Sequence, residues 1–117
     1  MTANDPGTLA RDVLAAWTGG RVEDVRAMIH DDVVFDGPLG HTEGADEYME
    51  GLRGIARIVK GADPHKVIVD GDDVCIVYDL LTDVADPIPT AGWYRVRDGR
   101  LAELRVFFDP RPLVSGG

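Results

Sequence analysis

Apolar residues return every three or four positions in the first half of the chain and every second position in the second half, with the change falling near Gly61. Leu9, Val13, Ala16 and Trp17 keep helical spacing, Asp5-Pro6 supplies a cap and first-turn pair, and Gly19-Gly20 ends the run, predicting a first helix. Val22, Val25, Met28 and Ile29 repeat the spacing over two turns, predicting a second, shorter helix that stops at His30-Asp31-Asp32. Val33-Val34-Phe35 reads as a short strand broken by Gly37-Pro38.

The longest periodic segment runs from Ala45 to Val59, where Ala45, Tyr48, Met49, Leu52, Ile55, Ala56 and Val59 mark one face of an amphipathic helix. Gly51 and Gly54 weaken that helix by propensity, so close approach to a sheet is their expected use. Beyond Gly61-Ala62-Asp63-Pro64 the pattern turns β-branched and alternating, with strands predicted over 66–70, 74–82, 89–97 and 100–108. Gly71-Asp72-Asp73, a loop through Asp86-Pro87, and the hairpin turn Asp98-Gly99 connect them. The order α-α-β-α-β-β-β-β predicts an α+β fold: three N-terminal helices on a curved antiparallel sheet that encloses an apolar cavity.

Composition narrows the partners. A chain of 117 residues, 44% hydrophobic and 28% charged, fits one globular domain over 1–117. The formal charge of −9, with 12 basic residues scattered among 21 acids, argues against nucleic acid and anionic membranes as partners. No apolar run approaches the roughly 18 residues needed to span a bilayer, and MTANDPGTLA shows no leader pattern. A single Cys75 inside an apolar run reads as a small buried hydrophobe in a reducing compartment, so a cytoplasmic location is expected.

Three stretches carry a family resemblance: "AAWTGGRVEDVRAMIHDDVVFDGPLG", "EGADEYMEGLRGIA" and "WYRVRDGRLAELRVFFDPRPL". Together with the element order they resemble the SnoaL-like branch of the nuclear transport factor 2-like superfamily. That resemblance implies a cone-shaped α+β fold whose members include ketosteroid isomerases, polyketide cyclases, epoxide hydrolases and non-catalytic binding or scaffolding domains. Where the isomerases keep a base carboxylate, an oxyanion-hole tyrosine and a protonated aspartate, this chain has Gly37, Val13 and Gly92, so that mechanism is not expected. Limonene epoxide hydrolase closes its final strand in a pattern similar to "RVFFDPR", and the resemblance assigns the general base to Asp109. Its arginine and second aspartate on the middle strand correspond here to Tyr78 and Leu80. A SnoaL-type ring closure asks mainly for one acid/base near an acidic carbon, a role Asp109 could fill.

Asp109 precedes Pro110 at a strand end, where a solvated terminus is the plain alternative, and strict alternation along 101–109 turns it inward only through a bulge or twist. Asp36 stands two residues before Pro38, where the epoxide hydrolase family has a water-holding asparagine; an Asx turn with Gly37 is its structural alternative. If both acids faced one cavity, their shared field would leave one protonated and one ionised, an acid/base pair. Tyr78, Tyr94 and Tyr48 are expected to orient a substrate through their hydroxyls, or else to pack in the core with hydroxyls at the rim. Phe35, Leu80, Phe108, Trp17 and Leu52 complete the expected lining, and His41 in "GPLGHTEG" stands near the mouth as a proton shuttle or as an exposed loop residue.

Trp93, Arg95 and Phe107 fall on the opposite face of the sheet, where a homodimer contact is expected. His30 and His65 stand at predicted element ends with no Cys or carboxylate at ligand spacing, so neither metal nor cofactor is expected. The sequence leaves two functions open: an acid/base enzyme of cyclase, isomerase or hydrolase type acting on a small apolar or polyketide-like molecule, and a non-catalytic ligand-binding or dimerisation module.

Overall fold

Asp5 begins the first helix by accepting a 3.0 Å hydrogen bond from the Thr8 backbone N–H, and Pro6 takes the first helical position. In the computed structural model, which describes residues 5–114, that helix, α1, spans Pro6–Thr18 and buries Leu9, Val13, Leu14, Ala16 and Trp17. The first four residues of MTANDPGTLA lie outside the described residues. The predicted second helix is a 3₁₀ helix, Val22–Met28, in which Val25 alone is fully buried. Two turns of β-branched and charged residues are too short to build an α-helix with a continuous buried stripe.

The remaining elements are β1 Ile29–Gly37, β2 Gly40–Glu43, α2 Ala45–Ala56, β3 Val59–Asp70, β4 Asp73–Thr82, β5 Ile88–Arg97, β6 Arg100–Phe108 and a terminal turn of helix, α3 Arg111–Val114. The α+β order holds, with the helices packed on one curved six-stranded sheet in the order β2-β1-β6-β5-β4-β3. Three differences from the sequence expectation follow from pairing that no local pattern announces. The strand at 33–35 is nine residues long and continues past Gly37 into a hairpin with β2, where Gly37 opposes Gly40. The sheet is not wholly antiparallel, because β1 runs parallel to β6. The long helix ends at Ala56 and Val59 already belongs to β3, whose pairing to β4 shifts register between Val59 and Gly61 and again between Pro64 and Lys66. Those bulges let a strand carry Gly61 and Pro64, residues that otherwise interrupt strands.

Gly51 and Gly54 also differ from expectation. Nothing lies within 4 Å of a Cβ built at either, so they do not serve close packing of helix on sheet. Both instead face the hollow described below.

The alternation on β6 is reset once. Leu101 and Leu104 are both buried, three residues apart, because the β5 pairing shifts register between Arg95 and Val96. Ala102, expected on the inner face, sits at this shift and is half-buried. From Leu104 onward Leu104, Val106 and Phe108 point inward. The alternate residues Arg105, Phe107 and Asp109 are exposed.

Candidate functional site

A hollow of about 430 Å³ lies between α2 and the concave face of the sheet. β4 supplies Tyr78 and Leu80, β5 Thr90 and Tyr94, and β6 Leu104, Val106 and Phe108; Trp17 from α1 and Tyr48 and Leu52 from α2 form the facing wall. The β1–β2 hairpin, through Phe35, Gly37, His41 and Thr42, and Leu113 of α3 edge the opening. Every residue expected to contact a small molecule therefore borders one space: Tyr78, Tyr94, Phe35, Leu80, Phe108, Trp17, Tyr48, Leu52 and His41. Residues that sequence reasoning did not single out include Thr42, Ile58 and Leu113; the last arrives only because the chain turns back after Pro110.

The two predicted acids stand outside this space. No carboxylate borders it among the described residues. Asp36 follows inward Phe35 on a regular strand and so points outward, with about half its side chain exposed. Asp109 follows inward Phe108, and the bulge that would have reversed it is absent near the strand end. Asp109 instead accepts hydrogen bonds from the Arg111 backbone N–H at 3.0 Å and from its guanidinium at 2.6–3.0 Å. The bond from the Arg111 side chain, then that from its backbone, holds the Asp109 carboxyl below the usual carboxylate range, the opposite of the tuning a general base needs. The expected acid/base pair of Asp36 and Asp109 sharing one cavity is thus not formed.

At Gly37 and at Gly92 an aromatic ring fills the space that a side chain would take. A Cβ on Gly37 would stand 3.0 Å from the ring of Phe35, and one on Gly92 3.0 Å from the ring of Tyr94. The inner wall at both points is made by a ring folded back over its own strand.

The polar side chains among the lining residues are hydroxyl-bearing Tyr and Thr, the His41 imidazole and the Trp17 indole. Tyr48, Tyr78 and Tyr94 are 4%, 3% and 1% exposed, and burial pushes all three phenols above their ordinary range, so they stay neutral hydrogen-bond donors. The Tyr48 hydroxyl and Thr42 Oγ1 are buried without a partner among the described residues, while the Thr90 hydroxyl already donates to the Ile88 carbonyl at 2.9 Å. Phe35 and Tyr48 stack obliquely, with ring centroids 5.7 Å apart. At the opening His41 lies opposite Asp36 across the hairpin, with Nδ1 3.7 Å from Asp36 Oδ1 and Nε2 2.9 Å from Glu43 Oε2. Glu43, through its hydrogen bond, is the main cause that raises the His41 pKa above 6.5, and Asp36 adds to it.

The outer face of the sheet carries Trp93 and Phe107, 39% and 55% exposed. Trp93 Nε1 donates to Asp73 Oδ1 at 2.8 Å, Arg95 pairs with the same oxygen at 3.0 Å, and the Arg95 and Arg105 guanidinium groups lie 5.5 and 5.8 Å from the indole centre. Cys75, opposite Trp93 on this face, is half-buried, so the expectation of a fully buried thiol is corrected. His65 also differs from expectation. It lies within β3 and not at an element end, and Asp63 and Asp79 gather around it.

No helix among the described residues is long and apolar enough to cross a membrane. No curated protein matches the chain. Among solved structures, a nuclear transport factor 2-like protein of unknown function from Cytophaga hutchinsonii is 29% identical, with a TM-score of 0.83 over 96% of each chain. An epoxide hydrolase of limonene epoxide hydrolase type from Mycobacterium tuberculosis is 22% identical, with a TM-score of 0.77 over 95% of this chain and 87% of that one. A candidate polyketide cyclase from Sinorhizobium meliloti is 16% identical, with a TM-score of 0.76 over 84% of this chain and 92% of that one. The last two likenesses speak for the fold alone. A family model described as SnoaL-like domain matches residues 10–104, and with that span covered the chain belongs to the SnoaL-like domain family of the nuclear transport factor 2-like fold.

Proposed function

We propose that the protein binds a small, largely apolar molecule, of polyketide-like size and character, in the hollow between α2 and the sheet. The observation that carries this reading is an apolar space of about 430 Å³ bordered by Tyr48, whose hydroxyl is buried with no partner among the described residues. Buried hydroxyls are rarely left unpaired, and a ligand oxygen would complete it. Tyr78 and Tyr94 border the same space and are neutral donors as well, which suits a carbonyl better than a cation.

The chain carries its own reporters, since Trp17 borders the hollow while Trp93 lies on the outer face. In a Trp93→Phe variant, apolar carbonyl compounds from a small-ligand panel should shift Trp17 emission and raise the melting temperature together. If no member of the panel moves either signal, or if filling the hollow by Leu104→Phe leaves the shifts as large as before, the binding reading is wrong.

Catalysis is the second reading, favoured by the Asp36–His41 contact at the opening. His41 would move the proton and Asp36 would orient its ring, a role that Asp109, turned away from the hollow, does not take. The homodimer belongs to the same proposal. Trp93 and Phe107 with Val77 form an exposed apolar stripe on the outer face, and sedimentation of a Phe107→Glu variant tests it. A cytoplasmic location rests on the lone thiol of Cys75.

A further inference from the structure

We infer that Asp63, His65 and Asp79 form a binding site for a divalent transition-metal ion on the outer side of the β3–β4 pair. One ligand atom from each residue lies within 4.8 Å of the others, and His65 Nε2 stands 3.1 Å from Asp79 Oδ2. Nitrogen and oxygen ligands about 2.0–2.2 Å from one ion, at tetrahedral or right angles, are themselves roughly 3.0–3.5 Å apart. The His65–Asp79 pair already has that spacing.

Three features of the backbone assemble the group. Asp63 and Asp79 are directly opposed in the antiparallel register, and like charges at opposed positions destabilise a strand pair. Among the described residues, the ion pair that reaches either carboxylate comes from His65, and neither Lys nor Arg joins it. The register shift between Pro64 and Lys66 leaves His65 as the extra residue of β3, and a bulge re-aims the side chain it carries. A cation between the two acids would remove the repulsion that this register otherwise imposes.

The site is separate from the hollow, because Tyr78 and Leu80, which flank Asp79, point to the opposite side of the sheet. Asp63 and His65 are exposed and Asp79 is half-buried, so water can complete the coordination. One imidazole and two carboxylates favour Zn²⁺, Ni²⁺ or Co²⁺ over Mg²⁺ and Ca²⁺, which prefer oxygen ligands alone. Bound there, the ion would clamp edge strand β3 to β4.

Chelator-stripped full chain is titrated with ZnCl₂ by calorimetry, and Co²⁺ binding is followed by visible absorption. The expected result is one equivalent of metal per chain, with Mg²⁺ bound far more weakly. Affinity should fall about tenfold or more in His65→Ala and in Asp79→Asn, since even indirect partners of metal ligands are worth about 10–100-fold. Unfolding curves of the metal-free variants verify that they remain folded, and Asp63→Asn gives an independent exposed position. His41→Ala, which removes the other histidine placed beside carboxylates, should leave the affinity unchanged. Absence of binding up to millimolar Zn²⁺, or equal binding by wild type and His65→Ala, overturns the assignment.

Discussion

Replacing Tyr48 by Phe should stabilise the ligand-free protein, the reverse of what loss of a tyrosine hydroxyl commonly does. The side chain is 4% exposed, and its hydroxyl is buried with no partner among the described residues. Leaving such a group unpaired costs about 1–3 kcal/mol relative to its state in water. Phenylalanine keeps the ring contact with Phe35 and the wall of the hollow, so little dispersion energy is lost. A net gain of about 1 kcal/mol is expected, at the low end because transient water in the hollow offsets part of the penalty. For a chain of this length that corresponds to about 4 °C in melting temperature. Urea unfolding at unchanged m-value, alongside calorimetry, measures it. Thr42→Val tests the same reasoning at the second unpaired hydroxyl and should also gain stability. If Tyr48→Phe instead loses more than about 0.5 kcal/mol, the hydroxyl is bonded in the free protein and the argument for a missing ligand oxygen collapses.

Gly92→Ala should cost about 1–3 kcal/mol, because the new methyl would meet the Tyr94 ring at 3.0 Å and the ring must leave its place on the inner wall; chemical denaturation gives the figure, and a neutral result would show that the ring is free to move. The His41 imidazole should titrate above 6.5 by NMR, and Glu43→Gln should bring it back further than Asp36→Asn does. Because the folded value is raised, the pairing stabilises the fold fully below pH 6.5 and loses that contribution as pH rises through the folded value. Asp109→Asn should leave ligand affinity within about twofold, since the carboxylate faces away from the hollow, while loosening the turn it holds through Arg111; loss of binding by calorimetry would return Asp109 to the site.

The lining of the hollow was legible in the sequence because inward residues of helices and strands are apolar and periodic, and Tyr78, Tyr94 and Tyr48 interrupt that pattern at inward positions. The acids were not. Asp109 holds the acid position of a motif, and a motif fixes the order of residues without fixing which side of a pleat each one takes. Its neighbours Val106 and Phe108 already claimed the inner side. The cluster at Asp63, His65 and Asp79 could not be seen in a linear reading either, since sixteen positions separate Asp63 from its opposed Asp79 and only the register joins them.

By itself the sequence determined the helix-then-sheet order, the caps and turns at Asp5-Pro6 and Asp98-Gly99, and the apolar faces, because these depend on neighbours a few residues apart. Tertiary structure decided the parallel pairing of β1 with β6, the bulges in β3 and at the start of β6, the aromatic rings over Gly37 and Gly92, and the outward course of both acids. Each of those is a contest between segments far apart in the chain, settled by which register buries more apolar surface while pairing the backbone.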